Sequence, residues 1–558
     1  MTTPLRVIPL GGLGEIGLNS MLIELGDEMI LVDAGLLFPD SPLFGVDYLV
    51  PDFAYVRSQA HRLKAVLLTH AHEDHVGALQ HLLRDVRAPV LGSPFTVGVG
   101  RARVDEAAIP AEFRSIGPGE PQRLSDLFTV EAVRVCHSVP DAYGYLIGTP
   151  AGTLVHSGDF KLDPDPPDGH PTDLTRLTRA GDEGVLCLFS DSTNSEIHVE
   201  TGSEHAVGIR LHRAIAEAGP RRIIISLFAS NVYRLQAVCA AAEKAGRKVA
   251  LGGRSMERNV DIARREKLLD APEDLFVPLE AAASLPREKV VVLATGSQAE
   301  PRATLSLMLD ENRAVHVQPG DLVILSARPI PGNERAVGAL VDQLTDAGAT
   351  VLHGSAQVSL HVSGHASKPQ QRRLLEAVRP RSFVPIHGEL RHLHAHCATA
   401  REVGLGPDHV LLARDGEVIE FDGAGRARRS GVAPAGRVLH DRFGEATLQP
   451  DAVTERRRLA ELGAVFAAVV LDGPRGIAAG PYLTGRGLND VERAVMERAA
   501  LDARAFLAEV SPELLNDDQF AADQLVLAVR RAYKQFTAKR PQVVPQVIRL
   551  PGSTGRPM

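Results

Sequence analysis

Three imidazoles and a carboxylate fall within six residues of the stretch AVLLTHAHEDHVGAL, as His70, His72, Asp74 and His75. Packing does not account for them, because histidine titrates near neutral pH and aspartate is costly to bury without a partner. The stretch follows an apolar segment that reads as a strand and precedes one that reads as a helix. At a strand end, alternation puts His70 and His72 on one side, where both reach a single ion, and the turn aims Asp74 and His75 at a neighbouring one. Imidazole and carboxylate are the ligands that zinc, manganese and iron take in hydrolytic sites. The alternative reading is a solvated, histidine-rich loop.

The elements that must position these groups can be read along the chain. Residues 1–200 consist mostly of short strands (RVIPL, SMLIEL, EMILVDAG, FTVEAVRVC, TLVHSGD, VLCLFSD) separated by Gly, Pro and Asp turns. From about 205 to 354 helices and continuous apolar strands alternate, which predicts a parallel sheet covered on both faces. Residues 355–430 return to the first style, with a helix at PQQRRLLEAV and a strand at SFVPI before His387. The Gly-, Pro- and Arg-containing stretch 431–450 reads as a linker. The last hundred residues predict a small α/β module, with a strand at VFAAVVL, one long helix over NDVERAVMERAALDARAFLAEV and a second over FAADQLVLAVRRAYKQF.

Composition narrows the class. A chain of 558 residues exceeds one hydrophobic core, so two to four domains are expected. Its 44% hydrophobic and 23% charged content fits a globular protein and not a disordered one. Cys136, Cys187, Cys239 and Cys397 are scattered, which predicts buried, reduced thiols and argues against cysteine as a metal ligand. No apolar run nears the roughly 20 residues that span a bilayer, and no signal peptide is visible, so a cytoplasmic protein without membrane contact is expected. A net charge of −8 gives no support to nucleic-acid binding but does not exclude it, since a positive groove suffices.

Other candidates carry two readings each. Ala229, Ser230 and Asn231 sit where a strand gives way to a helix, where they either hold a phosphate or cap the helix. Arg254 and Arg258 suit phosphate contacts or ordinary surface salt bridges. His61, His81, His392, His394 and His396 fit no motif and read as helix-surface residues. Gly12-Leu13-Gly14-Glu15-Ile16-Gly17 has the spacing of a dinucleotide-binding turn, but strands follow where that turn needs a helix. These glycines are read as a tight turn beside the metal edge.

HxHxDH resembles the signature of the metallo-β-lactamase superfamily, and Asp33 in ILVDAG, His137 in CHSVPDAYG and Asp159 in HSGDF fall in that family's order. Asp191 in LFSDSTNSE, His365 in HVSGHAS and His387 in PIHGE resemble the three added motifs of its β-CASP nucleases. GGLGEIGLN, GDFKLD, LFASNVYRLQ, GGRSMERN, VPIHGELRHL and RPQVVPQVI are similar to the ribonuclease J family. On local evidence alone, Ser363-Gly364-His365 reads equally well as a glycine turn and Asp191 as a helix cap.

The resemblance implies an αββα metallo-β-lactamase sandwich (1–200 and 355–430), an inserted parallel-sheet β-CASP domain (201–354), a linker (431–450) and a C-terminal α/β domain (451–558). It implies two Zn²⁺ ions, with Mn²⁺ an acceptable substitute: one on His70, His72, His137 and Asp159, the other on Asp74, His75, Asp159 and His387. Asp74, Asp191 and His365 would serve catalysis, and Ala229, Ser230, Asn231 and the run His361, Val362, Ser363, Gly364 and His365 would bind substrate. The implied activity is hydrolysis of single-stranded, 5′-monophosphorylated RNA, both endonucleolytic and 5′→3′ exonucleolytic, in rRNA processing and mRNA decay. A homodimer or homotetramer is implied, in company with other RNA-decay proteins. The alternatives are a β-CASP nuclease acting on DNA, a catalytically weak RNA-binding scaffold and a small-ester hydrolase.

Overall fold

Strands whose residues are apolar on both faces must be covered on both faces, and Glu28–Val32 and Val185–Asp191 are buried along nearly their whole length. They lie in two sheets that share a core. The computed structural model describes residues 4–39, 45–330, 333–354, 360–441, 447–472, 475–537 and 540–550. One sheet has eight strands, running from Ala427–Val432 through Arg6–Gly11, Ser20–Leu25, Glu28–Val32 and Leu63–Leu67 to Phe113–Ser115. The other has six, in the order Ser382–Ile386, Val185–Asp191, Gly152–His156, Ala142–Thr149, Thr129–Val135 and Gln122–Arg123. Ile30, Leu67, Tyr145, Phe189 and Val384 pack between them. Helices Leu174–Glu183, Lys368–Val378 and Leu390–Glu402 cover the outer face of the second sheet through Leu177, Leu374, Leu375 and Cys397. This is the αββα sandwich.

The insert leaves and re-enters between neighbouring strands. Val185–Asp191 and Ser382–Ile386 pair in parallel, with Asp191 beside Ile386, although the whole insert separates them in sequence. Within it, six strands form an all-parallel sheet in the order Phe276–Pro278, Lys248–Gly252, Val290–Ala294, Ile223–Ser226, Leu322–Leu325 and Thr350–Leu352. The connections diverge between Ile223–Ser226 and Leu322–Leu325, which opens a crevice at their carboxyl ends, where such sheets bind ligands.

The chain divides into two compact units, Met1–Ser41 with Tyr48–Val438, and Pro42–Asp47 with Leu439–Met558. The stretch read as a linker is not free of structure: the strand Ala427–Val432 ends inside it, and Arg437–His440 and Thr447–Leu448 are strands. In the second unit the strands Gly476–Arg486, Ala464–Asp472 and Gln542–Arg549 form a sheet, with Val465, Leu525, Val529 and Tyr533 in its core. The single long helix expected over 489–510 is two, Asp490–Ala494 and Met496–Ala508. The cause is specific. Tyr533 Oη donates to the Glu492 carbonyl at 3.2 Å, the acceptor that the Met496 N–H would use in a continuous helix. Among the described residues no helix is long and apolar enough to cross a membrane.

Because the second unit has its own core, damage there should stay local. Leu525→Ala, at a fully buried position, is expected to destabilise this unit by about 2–5 kcal/mol. Calorimetry should show one transition falling while the metal content of the protein stays unchanged; loss of metal would show that the units are not independent.

Candidate metal centre

The carboxyl-terminal ends of strands from both sheets meet at one edge of the sandwich. Leu63–Leu67 ends two residues before Thr69, whose amide and hydroxyl both donate to Asp33 at 2.8 Å. That clamp sets the loop carrying His70 and His72. The two imidazoles therefore sit on a loop and not on a strand, so strand alternation is not what pairs them. Asp74 and His75 follow on a one-turn helix, Glu73–Val76, shorter than the sequence suggests. His137 follows Thr129–Val135, Asp159 follows Gly152–His156, Asp191 closes Val185–Asp191 and His387 follows Ser382–Ile386. Close approach demands glycine at two points. A Cβ on Gly35 would lie 1.6 Å from the Asp74 carbonyl, and one on Gly364 would lie 2.6 Å from the His137 ring.

Two groups of four result, each with its donor atoms within 4.8 Å of one another: His70, His72, His137 and Asp159, and Asp74, His75, Asp159 and His387. In the first, His70 Nε2 and His137 Nε2 lie 3.0 and 3.2 Å from His72 Nδ1. In the second, His387 Nε2 and His75 Nε2 lie 3.3 and 3.5 Å from Asp74 Oδ2. Asp159 Oδ2 belongs to both, 3.6 Å from His70, 3.3 Å from His75 and 3.6 Å from His387. A third overlapping group joins Asp159 and His387 to Asp191 and His365.

Outer contacts decide which ring nitrogen faces inward. His137 Nδ1 donates to the Gly364 carbonyl at 2.8 Å, and His75 Nδ1 to Asp33 Oδ2 at 2.8 Å. Thr193 Oγ1 donates to Asp191 Oδ1 at 2.8 Å and so accepts from His387 Nδ1 at 2.6 Å. Each of these three imidazoles thus turns Nε2 toward the shared carboxylate, the arrangement that orients metal-binding histidines. Asp191 is spent differently, holding Thr193 with one oxygen and His365 Nδ1 with the other at 2.8 Å.

Burial pushes His70 and His137 well below the ordinary imidazole value and His72 to about 4, so these three rings offer lone pairs. Burial also disfavours charge on His75 and His387, yet Asp159 and its neighbouring carboxylates outweigh it, raising His75 well above normal and His387 to about 10. Asp74 and Asp159 stay ionised against their own burial through His75, His387 and, for Asp159, His70. Neutral imidazoles around buried carboxylates that call for positive charge fit divalent cations. Thiols take no part, since Cys136, next to His137, is buried with its pKa pushed up.

The remaining sequence candidates separate. Asn231 is buried and caps the helix Val232–Lys244, accepting from the Arg234 amide at 3.1 Å, so its side chain is committed to structure. Ala229 and Ser230 are partly exposed, past the carboxyl end of Ile223–Ser226. Ser363 Oγ accepts from Asn194 Nδ2 at 2.8 Å, and His361 lies 3.0 Å from the buried Arg234. Arg258 pairs with Glu106 at 2.9 Å, and Arg254 is exposed. His81, His392 and His396 are buried rather than on the helix surface; His396 Nδ1 meets Ser192 Oγ at 3.0 Å, while His61 and His394 are exposed. The glycines at 12, 14 and 17 have φ near +93°, +95° and +117°, and Leu13–Gly14 pairs with Gly388–Glu389, one residue past His387. Asn19, Thr69, Thr193 and Asn194 support the site without having stood out in the sequence, because each acts through long-range hydrogen bonds.

Four family models match the chain: a beta-lactamase superfamily domain over 28–223, the ribonuclease J beta-CASP domain over 220–344, a Zn-dependent metallo-hydrolase RNA specificity domain over 355–412 and the ribonuclease J C-terminal domain over 451–550. A solved structure of a protein of unknown function from Enterococcus faecalis V583 shares the fold, at a TM-score of 0.53 and 16% identity over 75% of this chain and all of that one. Ribonuclease J of Mycolicibacterium smegmatis is 38% identical over 98% of this chain and 97% of its own. That of Thermus thermophilus is 37% identical over 97% and 95%, and that of Corynebacterium glutamicum 37% over 99% and 76%. With identity at this level sustained along nearly the whole length, the chain belongs to the ribonuclease J family of metal-dependent ribonucleases.

Proposed function

We propose a two-ion RNA phosphodiesterase in which Asp159 is shared between the ions. One ion would rest on His70, His72, His137 and Asp159, the other on Asp74, His75, Asp159 and His387. The observation that carries this is the single Asp159 Oδ2 set 3.3–3.6 Å from imidazoles of both groups. Zinc suits the ligand set, and without thiolate it also accepts Mn²⁺. Bound ions supply Lewis acidity and a nucleophile at neutral pH.

The chain's own groups do the rest. His365, held by Asp191 through Nδ1 and with 20% of its side chain exposed, is assigned to the substrate: it steadies the phosphate and protonates the leaving 3′-oxygen. Burial lowers its pKa, but Asp191 and Asp159 raise it above the ordinary value, which keeps the proton available. Asp74 orients the attacking group. The crevice beside Ser230 receives the 5′-monophosphate of single-stranded RNA, giving 5′→3′ exonucleolytic as well as endonucleolytic cleavage in RNA processing and decay. We assign the protein to the cytoplasm as a homodimer or homotetramer built through its C-terminal unit, working beside other RNA-decay proteins.

Three experiments test this reading. His387→Ala should lower bound metal towards one ion per subunit and abolish cleavage. His365→Ala should keep both ions and lose on the order of 10²-fold in rate. Metal analysis of the purified variants decides, and equal metal loss in both overturns the division of labour. Asp33→Asn places an amide where His75 Nδ1 and Thr69 Oγ1 donate, so metal affinity should fall roughly 10–100-fold in competition with a chelator. An unchanged affinity would remove Asp33 from the support of the site. Ser230→Ala should reduce the rate preference for 5′-monophosphate over 5′-hydroxyl ends by roughly tenfold, and an unchanged ratio would dismiss the pocket.

A further inference from the structure

Both passages of the chain between sandwich and insert, near residues 201–204 and 360–365, converge on one buried guanidinium. Arg234 is 1% exposed, in the first turn of Val232–Lys244. Its Nε and Nη2 reach the two carboxylate oxygens of Glu204 at 3.0 and 2.8 Å. Nη1 donates to the Ser326 carbonyl at 2.6 Å and faces His361 Nδ1 at 3.0 Å, and Nη2 also donates to the Val362 carbonyl at 3.1 Å. All five N–H donors of the side chain are thereby used, each on a fixed acceptor.

The acceptors belong to different parts. Ser326 follows the insert strand Leu322–Leu325 and, through its hydroxyl, holds the Leu360 carbonyl at 2.7 Å. Glu204 opens the insert, and its amide donates to Asp163 at 3.2 Å. Asp163 in turn pairs with Lys161 at 3.2 Å, on the segment that follows Asp159. His361 and Val362 lead into the turn that ends at His365. Beyond them the turn is tied to the sandwich side, by Asn194 to Ser363 at 2.8 Å and by Asn194 and Thr201 to the His365 carbonyl at 3.0 and 2.9 Å.

We infer that Arg234 is a positioning residue for catalysis, fixing the His361–His365 turn to the insert so that RNA seated in the crevice and the His365 ring keep one register. A buried ion pair adds little net stability, and a pair whose every donor is directed is better explained by the geometry it specifies. Lysine cannot replace it, having three donors on one nitrogen. The inference rests on the reading of His365 as a group that acts on substrate.

The test is a double-mutant cycle in the full-length, metal-loaded protein. The paired variant Glu204→Gln with Arg234→Gln removes both charges and avoids stranding one of them, and Arg234→Lys keeps the charge should the pair fail to fold. With a 5′-monophosphorylated oligoribonucleotide, each should lose roughly tenfold or more in kcat with KM and metal content near wild type, Arg234→Lys the less of the two. Added to His365→Ala, either change should cost nothing further, since the residue it positions is gone. Losses that multiply would overturn the inference, as would a rise in KM at unchanged kcat. A His365→Ala protein with wild-type kcat would overturn the reading of His365 itself, and the clamp with it, a result told apart from the others by that single variant.

Discussion

Everything at this edge depends on the charge of Asp159. Its carboxylate is 2% exposed, and Asp74 and Asp191 stand close by, so several negative charges share a volume largely closed to water. Each buried ion costs several kcal/mol unless compensated. The protein supplies imidazoles, but burial holds His70, His72 and His137 neutral, and His75 and His387, which gain charge, cannot then also donate lone pairs. Divalent ions would resolve the conflict, offsetting the carboxylates while taking up the imidazole lone pairs. The same demand explains the backbone. Asp33 and His387 adopt φ of +61° and +51°, conformations that cost non-glycine residues of order 1–3 kcal/mol and that persist only where the surroundings fix them.

The topology supplies those surroundings. Loops from the eight-stranded sheet bring His70, His72, Asp74 and His75, and strand ends of the six-stranded sheet bring His137, Asp159, Asp191 and His387. The shared core between the sheets sets their separation, and Tyr145 Oη, donating to the Leu68 carbonyl at 2.6 Å, ties the two just beneath the site. Placing the insert between adjacent parallel strands leaves intact the pairing that sets Asp191 beside Ile386, the residue before His387.

What the sequence disclosed follows from how local each signal is. HxHxDH is compact, and apolar strands ending in Asp or His mark the other candidate ligands once a family pattern orders them. His392 and His396 are buried where the sequence suggests a helix surface, because histidine is ambiguous in polarity. Yet their four-residue spacing puts both on one face, with His394 on the other, so the signal was present. The break at Val495 left no such trace. It depends on Tyr533 reaching back to a carbonyl 41 residues earlier, a contact no local pattern encodes.

Arg234 and Glu204 were invisible for the same reason, and they mark a contrast with the metal edge. Both places bury several charges, but the carboxylates around Asp159 keep theirs by holding protons on the neighbouring imidazoles, whereas the Arg234 cluster is neutral in itself and fully hydrogen-bonded. The first arrangement suits divalent cations; the second is complete without them. Their meeting point is the five-residue turn from His361 to His365, whose near end takes its place from Arg234 and whose far end places a ring against Asp191. On the proposed roles, admitting flexible RNA and holding the acid in reach would fall to separate charges.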